Sequence, residues 1–179
     1  MHKNNQTLVH LSLLVALGLV LFLFESVLPR PVPWVKPGLA HVATLLALYL
    51  YGARAAFLVV ILRTVIGALI LGSFLNPIFL FSMVGGLAAT CAMILFKSFG
   101  RLFSVMGISV IGAMVHNIVQ LLLAVVLVVG QQEIFVLLPG FLIPAWFMGL
   151  LVGAVSFFLL RQIKHTRLAT PAWFGPHIA

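Results

Sequence analysis

The chain contains no aspartate, and its only acids are Glu25 and Glu133. Clustered carboxylates are what hold hard metal ions and metal-bound phosphates, so their absence removes most hydrolytic and phosphoryl-transfer chemistry from this chain. We expect no catalytic residue, no metal site and no resident cofactor. A single cysteine, Cys91, excludes an internal disulfide. Within an apolar run it reads as a packing residue. Charge as a whole is scarce, at 7% of residues, against about a quarter in soluble domains.

Apolar side chains make up 64% of the residues, with a mean hydropathy of +1.29. Too little polar surface is available to cover a soluble domain, so the chain reads as an integral membrane protein. The net charge of +8 does not indicate nucleic acid. The basic residues are scattered between apolar runs and form no dense patch, which suits topology signals and contacts with anionic lipid headgroups.

A hydrocarbon core of about 30 Å needs roughly 20 apolar residues per helix. Candidate spans run over Leu8–Leu28, Leu39–Tyr51, Ala55–Phe74, Pro77–Phe96, Phe103–Val129 and Leu138–Leu160, the second being short. Pro29, Pro31 and Pro33 break the chain after the first, because proline lacks the N–H and clashes with the preceding turn. The first run is too long for a secretory signal and no small-residue cleavage site follows it, so it is expected to remain as a helix. Long apolar runs without period-two alternation predict an all-α bundle of six transmembrane helices over residues 1–167, followed by a short tail, 168–179. Lys3, Arg54, Lys97, Arg101, Arg161, Lys164 and Arg167 then fall on one side. This places both termini in the cytoplasm and the protein in the cell membrane.

Small residues mark where helices approach. Ala16 and Gly18 in the first span, Gly67 in the third, Gly85, Gly86, Ala89 and Thr90 in the fourth, and Ala145, Gly149 and Gly153 in the sixth serve either internal packing or a partner subunit. Ala16, Gly18, Gly149 and Gly153 are the candidates for partner docking.

The polar residues within the spans cluster, by residue count, toward the outer half. In "GAMVHNIVQLL" (112–122), His116 and Gln120 share one helix face, Gly112 extends it inward, and Asn117 points about 100° away. Such groups must be paired or face water in hydrocarbon. A hydrogen-bond clasp between helices and a ligand pocket open to the outside both satisfy this. We read Asn117 as closer to the clasp and His116, Gln120 and Glu25 as closer to the pocket. The candidate binding set is Glu25, Trp34, Lys36, His41, Asn76, His116, Asn117 and Gln120. Lys36, Arg30 and His41 are candidate partners for Glu25. Arg63 lies roughly 13 Å up the third span and about 12 Å from the Glu25 level, too far for a direct pair by this count.

The stretches "GISVIGAMVHNIVQLLLA" (107–124), "PGLAHVATLLALYLYGARAAFLVVILRTVIGALILGS" (37–73) and "FSMVGGLAA" (81–89) resemble the Gx transporter family, often labelled heptaprenyl diphosphate synthase component I. The resemblance runs from Phe24 to Gly153. His41 stands where the family more usually has asparagine, and Pro37 where it tends to have leucine. The family is similar to the S components of energy-coupling factor importers. That likeness implies a six-helix, N-in protein with a ligand pocket near the outer face. It also implies partners: one transmembrane coupling protein and two cytoplasmic ATPases. No GxxxxGK[ST] motif is present, so any ATP use would belong to another chain. The enzyme label meets an obstacle, since prenyl diphosphate synthases hold Mg²⁺ with aspartate-rich motifs.

The expected function is therefore binding of a small vitamin-like, flavin- or quinone-precursor or isoprenoid-like compound for uptake, with Trp34 and apolar neighbours packing on it. Two alternatives remain: a non-transport subunit binding a quinone or prenyl compound, and a proton-coupled carrier using Glu25 and His116. The topology has a direct test. In a Cys91→Ala background, an impermeant thiol reagent should label Asn4→Cys and Thr166→Cys only from the cytoplasmic side, and Gln131→Cys only from outside. Labelling of Gln131→Cys from the inside would refute the six-span arrangement.

Overall fold

The computed structural model describes residues 2–28, 38–129 and 138–165. Among the described residues all regular structure is helical, in six α-helices: α1 (His2–Val27), α2 (His41–Tyr51), α3 (Ala53–Ile70), α4 (Pro77–Ser98), α5 (Val105–Ala124) and α6 (Leu138–His165). A 3₁₀ turn over Gly100–Leu102 joins α4 to α5, and α5 continues into a π-turn over Val125–Val129. Five helices are long and apolar enough to cross a membrane; α2 is not. Its 11 residues span about 16 Å, roughly half of the hydrocarbon thickness. The expected six-helix bundle is present, with one traverse made by a half-length helix.

Residue pairs across the interfaces fix the directions. His10 near the start of α1 bonds Tyr51 at the end of α2, whereas Glu25 near the end of α1 meets Ala40 at the start of α2. These helices are antiparallel. Gly18 faces Arg63 and Gly67 faces Phe22, so α3 runs parallel to α1. Gly85 meets His116 and Gly112 meets Met93, so α4 and α5 are antiparallel; Gly149 meets Val110 and Gly153 meets Met106, so α5 and α6 are too. The chain therefore runs up and down in strict alternation. Arg54, Lys97 and Arg161 lie at one end, as the charge pattern anticipates.

The half-length α2 occupies the centre. It packs against α1, α3 and α6, and every residue is buried except Tyr49 and Tyr51. Ala43, Leu45, Leu46, Ala47 and Leu48 form the middle of the hydrophobic core with Val59, Met93 and Ile108. Its inner end is closed by the Lys97 ammonium, which donates to the Leu48 carbonyl at 2.8 Å and lies 4.6 Å from the centre of the Tyr49 ring. The same carbonyl also accepts the Gly52 N–H at 3.2 Å, and a cation at a helix C-terminus complements the dipole.

The glycines of the sixth span belong to internal packing. A Cβ on Gly149 would lie 2.7 Å from the Val110 Cα, and one on Gly153 would lie 2.7 Å from the Met106 Cα. Backbone approaches this close admit no side chain. These two docking candidates are thus buried against α5. Gly18 is likewise buried, against Ala43 and the Arg63 stem, whereas Ala16 is exposed on α1. Cys91, expected in packing, is exposed on α4, because its helix turns Ala89, Thr90 and Met93 inward instead.

Gly153→Leu should wedge α5 from α6 and cost on the order of 1–3 kcal/mol, read as a lowered thermal midpoint in detergent. Gly140→Ala, where an added Cβ meets nothing within 4 Å, should leave the midpoint unchanged or slightly raised.

Candidate functional site

The shortness of α2 determines where the polar residues meet. Because α2 begins in mid-bundle, His41 lies about 15 Å from the Tyr51 end rather than at the outer boundary. Arg63 lies about 15 Å along α3 and His116 about 16 Å along α5 by the same rise. All three therefore fall at one level. The ring of His41 contacts that of His116 edge-to-face, with centroids 4.9 Å apart. Arg63 acts electrostatically on His41, as does His116, and Glu25 acts electrostatically on Arg63.

Glu25 joins this group from α1. Helical side chains lean toward their own N-terminus, so the carboxylate is carried inward from its backbone level. Its Oε1 accepts from the Ala40 N–H at 3.3 Å, at the buried N-terminal end of α2. An acid suits this place, since the first N–H groups of a helix have no partners within it. The depth count spoke against a direct pair of Glu25 and Arg63; the structure shows an electrostatic influence of Glu25 on Arg63.

Glycines make the room. A Cβ on Gly85 would come within 2.9 Å of His116 Nδ1 and 3.3 Å of Gln120 Cγ, so α4 lacks a side chain where α5 presents its polar face. A Cβ on Gly18 would lie 3.0 Å from Arg63 Cδ, and one on Gly86 would lie 3.9 Å from an Arg63 terminal nitrogen. Gly112 accommodates Met93 instead of extending the polar stripe. Glu25, Arg63 and Gln120 are only 2%, 3% and 1% exposed, values rare for such groups unless they are paired.

Several polar atoms in and beside this layer have no hydrogen-bond partner among the described residues. They are His41 Nε2, Arg63 Nε, both amide atoms of Gln120, and the hydroxyls of Thr44 and Thr64. Thr44 lies one turn below His41 on α2, and Thr64 adjoins Arg63. A polar group withdrawn from water without a partner costs about 1–3 kcal/mol, so this buried region is an unsatisfied polar layer.

Of the eight candidate binding residues, Glu25, His41, His116 and Gln120 come together. Asn117 is buried, but its Nδ2 donates to Ala113 O of its own helix at 3.1 Å, so the expected clasp between helices is replaced by a bond within α5. Asn76 is exposed and caps α4, accepting from the Ile78 N–H at 3.4 Å, a local role away from the cluster. Trp34 and Lys36 lie outside the described residues, as do Arg30, Glu133 and the tail 168–179. Arg63, Thr44 and Thr64 were absent from the candidate set. The signal that could have included them was the second apolar run, too short to cross alone.

The fold and this buried layer define a multi-pass α-helical membrane protein with a polar core. The chain belongs to the heptaprenyl diphosphate synthase component I family, whose model matches residues 14–159; this is the family its motifs resemble. No curated protein and no solved structure matches the chain.

Glu25→Ala should leave the Ala40 N–H without its acceptor and lower stability by about 1–3 kcal/mol. Glu25→Gln, which retains an acceptor oxygen, should recover part of that loss. Equal thermal midpoints for the two variants would show that the cap contributes nothing.

Proposed function

We propose that this chain is a substrate-binding membrane subunit in the cell membrane that takes up a small organic molecule from outside. The observation that carries the reading is Gln120: at 1% exposure neither of its amide atoms has a partner among the described residues, and it sits beside the paired rings of His41 and His116. A membrane protein that needed only a packed core would gain by replacing this glutamine with leucine. The glycines at positions 18 and 85 let the Arg63 stem and the His116 ring pack against neighbouring backbone, which places these polar groups inside the bundle.

The role proposed is binding and delivery without catalysis. An aspartate-free chain cannot assemble the carboxylate and Mg²⁺ site of a prenyl diphosphate synthase, so the family's name applies here to a non-catalytic partner at most. Energy for uptake would come from separate ATPase subunits joined through a membrane coupling protein, as in importers with S components. Internal packing of Gly149 and Gly153 removes them from the surface such a partner would use and leaves Ala16, on the exposed face of α1, as the docking candidate.

Mass spectrometry of small molecules retained by the purified protein should reveal a compound present in the wild type and lost from the double variant His116→Ala, Gln120→Ala. Cys91→Ala, remote from the cluster, should retain it. An unchanged retained compound in a folded double variant would remove the reading.

A further inference from the structure

We infer that the ligand carries a ring N–H next to a carbonyl, as in a cyclic amide or ureide. This inference rests on the proposed binding role and concerns the class of molecule bound. The atoms without partners impose it. His41 Nδ1 lies 3.1 Å from the Gly38 carbonyl oxygen. A carbonyl only accepts, so Nδ1 carries the hydrogen and the neutral ring presents a lone pair at Nε2. That Nε2 is buried with no partner among the described residues. Gln120 supplies a second acceptor, Oε1, and a donor, Nε2. The Arg63 Nε–H is a further donor. The site therefore presents acceptors and donors together.

A ligand group with acceptors alone, such as a diphosphate or a quinone carbonyl, would engage Arg63 and the glutamine NH₂. It would also press its oxygens against the lone pairs of His41 and of Gln120 Oε1. A group with donors alone, such as an ammonium, would engage those lone pairs and strand the N–H groups of Arg63 and Gln120. An N–H beside a C=O meets both demands, and a primary amide such as that of Gln120 pairs with this edge through two parallel hydrogen bonds. The prenyl diphosphate suggested by the family name is the wrong complement for the same reasons.

The test combines two measurements on the full chain in lipid nanodiscs. One is mass spectrometry of retained small molecules. The other is fluorescence titration with lumichrome, a planar ureide, and with its N,N-dimethyl counterpart. The retained compound should present a ring N–H beside a carbonyl. Lumichrome should displace it, and the dimethyl form should bind at least about tenfold more weakly. Gln120→Leu should weaken lumichrome by at least about tenfold while leaving the thermal midpoint unchanged or raised, since it removes buried polar atoms at similar volume. A purely structural glutamine would instead lower the midpoint. A retained compound with acceptors only, or equal affinity for the dimethyl form, overturns the ligand class and leaves the binding role standing. Nothing retained and no lumichrome binding overturns both.

Discussion

The arrangement depends on a helix too short for its surroundings. An 11-residue α2 at the centre of a membrane bundle begins inside the structure, where unsatisfied backbone groups are costly. Each end is met by a side chain of the complementary sign from another helix. Glu25 of α1 accepts from the N-terminal N–H of Ala40, and Lys97 of α4 donates to the C-terminal carbonyl of Leu48. The chain has just two acids, and one of them is placed here.

From this clamp the level of the polar layer follows. Starting α2 halfway through the bundle lowers His41 to the depth of Arg63 and His116. A full-length second helix would have left His41 at the outer boundary and Arg63 alone in the apolar interior. The short helix instead assembles an acid, a cation, two imidazoles and an amide from four helices. Small residues on α1 and α4 admit their bulk. The apolar contacts around them, chiefly from α2 and from the tight α5–α6 pairing, hold the cluster without supplying hydrogen bonds to all of it. This uneven division between a satisfied scaffold and an unsatisfied layer is what makes a binding role the best account of the fold.

The same layer bears on the family's name. A prenyl diphosphate is an acceptor-rich anion ordinarily held through Mg²⁺ by carboxylates. Here there is a single carboxylate at the site, already engaged with a helix terminus, and the remaining groups mix donors with acceptors. The residues present are therefore a poor complement to a diphosphate, and the ligand proposed above is of another class.

Composition alone determined the membrane class, because 7% charged residues cannot solvate a soluble surface. The lengths of the apolar runs determined the helices, and the scatter of Lys and Arg determined that Arg54, Lys97 and Arg161 share one end. Helical periodicity likewise placed His116 and Gln120 on one face, since both lie on a single helix and their relation is local. What crosses between helices was decided by tertiary structure. Residue counting measured depth from helix ends as though every span were complete, so it put His41 at the surface. It could not tell that Gly149 and Gly153 would be spent against α5, or that Asn117 would turn to its own backbone. Relative depth, tilt and side-chain lean are set by packing against neighbours, and no single run of sequence contains them.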